Sequence, residues 1–127
     1  MRLFSSKTKA SDKDRRHQLE RLVPLNNLSP EALAGLAERV EFKQLKPGDY
    51  VFREGDTLPL NVYLLSGKVA LMAQDREESQ VFAGSVVTKF PLAHQIPRGF
   101  SVRALSEIEV VLIDSKLLNE ILGQSGS

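Results

Sequence analysis

Residues 46–69 read KPGDYVFREGDTLPLNVYLLSGKV, and the fold is decided there. Lys46-Pro47-Gly48-Asp49 predicts a type II turn, because Pro presets φ at the second position and Gly supplies a positive φ at the third. Tyr50-Val51-Phe52 predicts a strand, and Glu54-Gly55-Asp56 a second turn. Asn61 to Leu65 predicts another strand. Ser66-Gly67 is a tight connection into Lys68 to Met72, where Val69 and Leu71 face one side and Ala70 and Met72 the other. Short strands punctuated by Gly and Pro point to a β-sandwich or a closed roll.

The same period continues downstream. Gln74 to Glu78 reads as a polar hairpin tip, with Gln80 to Ala83 returning from it. Phe100 to Leu105 and Ile108 to Ile113 read as two further strands. Ser115 can cap a last helix, Lys116 to Leu122, stopped by Gly123. Upstream the period is helical. Residues 1–14 carry no pattern, and a helix starting near Asp14 places Leu19 and Leu22 on one face before Pro24 ends it. Ser29 caps a second helix, with Pro30 at its first position and Glu31 at the positive end of its dipole. Leu33, Leu36, Ala37 and Val40 form its apolar stripe, and Leu25 and Leu28 can staple the turn before it. The expected fold class is mainly β with flanking α-helices: an eight-stranded-type antiparallel β-roll (jelly roll) with N-terminal helices and a C-terminal helix. Three regions follow, a basic tail at 1–17, the β-roll domain at 18–122, and a linker or cut end at 123–127.

Composition narrows the function classes. At 127 residues there is room for one domain, and 42% hydrophobic with 26% charged residues is ordinary for a globular chain. With no Cys, disulfides and thiolate metal sites are excluded, which fits a cytoplasmic protein. No apolar run approaches the roughly 20 residues that cross a bilayer, so no membrane span is expected. The first 17 residues hold six basic against two acidic side chains, a net of +4, and the remainder carries −3. That tail reads as a solvated lead-in or as a contact for an acidic surface. His17 and His94 lie far apart without neighbouring carboxylates, so no metal site is expected. No nucleophile–base pair or phosphate-loop signature occurs, and catalytic residues are expected to be none.

The order of turns and helices resembles the cyclic nucleotide-binding domain of the bacterial catabolite activator and of protein kinase A regulatory subunits. The resemblance rests on Val23-Pro24-Leu25 with Leu28-Ser29-Pro30-Glu31, on the three turns at Gly48, Gly55 and Gly67, and on Pro97-Arg98-Gly99-Phe100-Ser101-Val102-Arg103-Ala104, and covers roughly 20–122. It implies a phosphate-binding cassette: a short helix aimed at the cyclic phosphate, an Arg pairing with it, and an upstream Gly-Glu whose carboxylate accepts from the ribose 2′-hydroxyl. Arg98 matches the phosphate Arg. The Gly-Glu pair falls at Thr88-Lys89, where no carboxylate stands, and Pro91 lies in the expected cassette helix.

The candidate ligand-binding set is therefore Arg98, Lys89, Thr88, Gly99 and Ser101. Arg98 reads as an anion ligand or as a structural ion-pairing Arg. Lys89 reads as a second anion contact or as a solvated cation in a lost pocket. Arg103 reads as surface charge, and Phe82, Phe90 and Phe100 as core or pocket wall. The resemblance implies a cyclic-nucleotide-binding-like regulatory or sensor domain with weak or no cAMP or cGMP binding, acting through protein interactions. Two alternatives stay open: a genuine sensor of cAMP or of another anionic nucleotide such as a cyclic dinucleotide, and a structural β-roll in a longer multidomain protein. The expected ligand is at most a cyclic nucleotide, with no other cofactor. The expected partners are a protein or a neighbouring domain, with a homodimer also open. Catabolite-activator-type regulators need a helix-turn-helix after the roll, and the few residues after Leu122 hold none, so DNA binding by this chain alone is not expected.

Overall fold

The computed structural model describes residues 12–93 and 95–126. Most of the basic tail, together with His94 and Ser127, lies outside the described residues. Helix α1 (Asp12–Glu20) starts two residues before Asp14. A 3-10 turn at Leu25–Asn27 leads to α2 (Pro30–Ala37). Seven strands follow: β1 (Glu41–Leu45), β2 (Tyr50–Phe52), β3 (Leu60–Ser66), β4 (Lys68–Ala73), β5 (Arg76–Phe82), β6 (Ser101–Ala104) and β7 (Ile108–Asp114). A 3-10 turn at Val86–Lys89 interrupts the series between β5 and β6, and α3 (Ser115–Gly126) closes it.

Local chemistry accounts for the boundaries. The Ser29 hydroxyl oxygen accepts from the Ala32 amide at 3.1 Å, and Pro30 opens α2. Leu28 and Leu33, which flank that cap, are both buried in one cluster. The turns at 46–49 and 53–56 are built alike. In each, the fourth amide donates to the first carbonyl at 3.0 Å, and an Asp carboxylate accepts from the first amide at 2.9 or 3.0 Å. Gly48 and Gly55 hold φ of +93° and +90° at the third position.

Several boundaries differ from expectation: α1 begins within 1–14, α2 ends at Ala37 so that Val40 lies beyond it, and the hairpin tip and the last helix differ as follows. The hairpin tip is two residues, Gln74 and Asp75, both at positive φ, and β5 starts at Arg76, inside the stretch read as the tip. A primed turn matches the twist of paired strands, and that outweighs the polar composition of 76–78. The last helix does not stop at Gly123 but continues to Gly126, with no left-handed cap at that glycine.

All strand pairs are antiparallel, in sheets ordered β1-β7-β3 and β2-β6-β4-β5. The expected β-roll with helices at both ends is present. β3 and β7 are apolar on both faces because each face has its own cover. Tyr63, Val111 and Ile113 face the helices with Leu19, Leu25, Leu36 and Leu118. Val62, Leu64, Ile108 and Val110 face the inside of the roll with Val69, Val102 and Ala104. The register sets Tyr63 opposite Val111 and Leu64 opposite Val110, so one pleat separates two cores.

Candidate functional site

The segment between β5 and β6 carries the candidate residues. Ser85 precedes the turn at 86–89, its hydroxyl donating to the Phe82 carbonyl at 2.7 Å. The Thr88 hydroxyl donates to the Ser85 carbonyl at 2.6 Å, and its amide reaches the same oxygen at 3.1 Å. Both hydroxyl hydrogens are spent within the turn. Phe90 leaves helical geometry with ψ 158° before Pro91, as the clash between a proline ring and the preceding residue requires. The cassette is thus one 3-10 turn and not an α-helix. Leu92 then turns inward: its amide donates to the Val62 carbonyl at 2.7 Å, and its side chain joins the interior of the roll.

Arg98 is 3% exposed. Its guanidinium donates to the carbonyls of Ala93, at 3.1 Å, and of Leu60, and lies 4.0 Å from the centroid of the Phe52 ring. Its backbone is tied to the second turn: its amide donates to the Asp56 carbonyl at 2.9 Å, and its carbonyl accepts from the Gly55 amide at 2.8 Å. Burial holds the guanidinium pKa below its ordinary value, and the Asp56 carboxylate opposes that shift. The Ser101 hydroxyl oxygen accepts from the Glu54 amide at 2.8 Å. Gly99 has room for a Cβ, 3.4 Å from Gln95 Oε1.

The five candidate residues fall into two groups. Arg98 and Ser101 are bonded to the turn at 53–56, with Gly99 between them in the chain. Thr88 and Lys89 line a different groove, against Gln18 and Arg21 at the end of α1. Sequence reasoning missed Asp56, Phe52 and Arg21. Gly55 does more than turn the chain, because its amide fixes the Arg98 backbone. Phe82 and Phe90, expected in the core or pocket wall, are 51% and 47% exposed, because alternation in β5 and the chain reversal at Pro91 turn them outward. Arg103 is exposed as expected. Among the described residues no group of three or more His, Cys, Asp or Glu could hold a metal ion, and no helix is long and apolar enough to cross a membrane.

Comparison with known proteins matches this architecture. The cyclic nucleotide-binding domain profile matches residues 42–125, from β1 into α3. The chain belongs to the cyclic nucleotide-binding domain family. It is 26% identical over 105 residues to a cAMP-dependent protein kinase regulatory subunit of Hypocrea atroviridis, covering 83% of this chain and 23% of that protein. The chain thus spans under a quarter of that relative. A cyclic nucleotide-binding-like protein from Brucella abortus superposes with a TM-score of 0.68 at 25% identity, covering 87% of this chain and 98% of that one. The sensor domain of the transcriptional regulator DNR from Pseudomonas aeruginosa gives a TM-score of 0.74 at 18% identity, covering 91% and 81% respectively. The Hypocrea protein is a regulatory subunit and the Pseudomonas one a sensor domain by name, and the family's ligand class is the cyclic nucleotide.

Proposed function

We propose that this domain is a cytoplasmic regulatory module that binds cAMP and cGMP weakly or not at all and signals through contacts with a protein partner or a neighbouring domain. It performs no catalysis. The observation that carries this reading is Arg98. The side chain at the family's phosphate position donates to the Ala93 and Leu60 carbonyls and lays its face on Phe52. Turning it towards a phosphate strands two carbonyls, at about 1–3 kcal/mol for each buried acceptor left unpaired. No carboxylate at Thr88-Lys89 is present to offset that cost through the ribose. The interior of the roll is lined by apolar side chains, Leu92 among them.

Thermal unfolding with cAMP, cGMP and a cyclic dinucleotide tests the proposal. A ligand at a hundredfold above its Kd stabilises by about 2.7 kcal/mol, a rise in Tm on the order of 10 °C for a domain of this size. The expected rise at 0.1 mM ligand, set at about that hundredfold for micromolar binding, is none. A rise with any of the three that disappears on Arg98→Lys would make the domain a sensor for that nucleotide and overturn the proposal.

A further inference from the structure

The groove between α1 and the 86–89 turn has the chemistry of a binding site, and Arg98 does not line it. Arg21 and Lys89 contribute two cations to its lining, and no Asp or Glu lines it. Neither Arg21 nor Lys89 makes a salt bridge to a carboxylate among the described residues. Gln18 also lines the groove, and its Oε1 atom is buried without a hydrogen-bond partner among the described residues. A buried acceptor without a donor is uncommon, because it forfeits its hydration with no return. The hydroxyls of Ser85 and Thr88 complete the wall, and their hydrogens are already donated to main-chain carbonyls. What the groove offers is therefore eight charged N–H donors on two side chains, the Arg guanidinium and the Lys ammonium, beside Gln18, whose buried Oε1 must turn outward to meet a ligand donor.

We infer that this groove binds a small hydroxylated phosphomonoester, its phosphate held between Arg21 and Lys89 and a hydroxyl donating to Gln18. The lining sets the class. The groove, a cavity of about 180 Å³ open to solvent, is lined by two cations and an amide, which suits a phosphate carrying a short polyol arm. The groove also has a fixed floor: the Val23 amide donates to the Lys89 carbonyl at 2.7 Å, which ties the segment after α1 to the turn. The site stands apart from the cyclic nucleotide reading, since Arg98 takes no part in it.

Calorimetric titration of the full chain with glycerol 3-phosphate, inorganic phosphate and glycerol tests the inference. Glycerol 3-phosphate binds, phosphate binds more weakly, and glycerol does not bind. Arg21→Gln and Lys89→Gln each weaken glycerol 3-phosphate by about ten- to a hundredfold, the loss of one charged hydrogen-bond partner. Gln18→Leu brings glycerol 3-phosphate down to the level of inorganic phosphate. Arg103→Gln, which removes an exposed cation elsewhere, leaves all three titrations unchanged. Failure of glycerol 3-phosphate to bind at millimolar concentration overturns the inference, as does equal weakening by Arg103→Gln, which would mean bulk charge alone. Circular dichroism of each variant confirms that the fold is retained. Arg98→Lys leaves this binding intact, so the groove and the cyclic nucleotide proposal stand or fall separately.

Discussion

A buried guanidinium is costly unless it finds partners, and Arg98 finds them in two main-chain oxygens and an aromatic face. Arg98→Ala removes the cation and strands the Leu60 and Ala93 carbonyls, so it costs about 2–4 kcal/mol. Chemical denaturation of both proteins checks this, and a loss under 1 kcal/mol would mean that the guanidinium is not bound as described. Lys89→Glu tests the separation of the two groups. Lys89 lines a groove that Arg98 does not share, so a carboxylate there leaves cAMP binding unchanged. Fluorescence anisotropy with a labelled cAMP checks this, and a gain of about tenfold or more, the worth of one charged hydrogen bond, would mean that the two positions serve one site. The position of Arg98 was legible because its motif is local. Its partners were not, since every residue carries a carbonyl and only the folded chain selects those of Leu60 and Ala93.

Turns show the same division between local and tertiary causes. Gly48 and Gly67 both stand at positive φ, at +93° and +86°. A Cβ at Gly48 meets nothing within 4 Å, whereas one at Gly67 collides with the Glu107 carbonyl, the Ile108 side chain and the Ser106 hydroxyl. Gly48→Ala therefore carries the backbone strain alone, about 1–2 kcal/mol. Gly67→Ala adds a collision with main chain and is the more damaging by at least about 1 kcal/mol. Equal midpoints for the two variants in urea would contradict this. From the sequence the two glycines look alike, because each sits in a short polar connection. The difference comes from the Ser106–Ile108 segment, some forty residues away, which crosses behind only one of them. The start of α2 was easier to read: the Ser29 cap needs no more than its own turn and forms as expected.

At the scale of the whole molecule, the strands were legible and their pairing was not. The alternation in β3 and β7 is hidden because both faces are apolar, and the partition into sheets of three and four depends on contacts between residues such as Glu41 and Leu112. Tyr63 joins the layers these contacts create. It is fully buried against the helices, and its hydroxyl donates to the Val23 carbonyl at 2.8 Å, which fixes the connection after α1 to β3. Burial pushes its pKa up to about 12 from 10.0. The phenol is neutral on both sides of the folding equilibrium below pH 10, so its contribution is complete there. Between about pH 10 and 12 the unfolded chain ionises this phenol while the folded chain does not, and stability falls as pH rises. Two pH units at about 1.36 kcal/mol each bound the loss at about 2.7 kcal/mol. Tyr63→Phe removes this part of the decline. At neutral pH it costs about 1–2 kcal/mol, because the Val23 carbonyl loses its donor. Urea denaturation of the two proteins at pH 7, 10 and 11.5 separates the effects. The wild type starts more stable, and the gap between the two curves narrows as pH rises. A gap that widens above pH 10 would mean that the phenolate is stabilised in the folded state, and with it that the seam between helices and roll admits water at Tyr63.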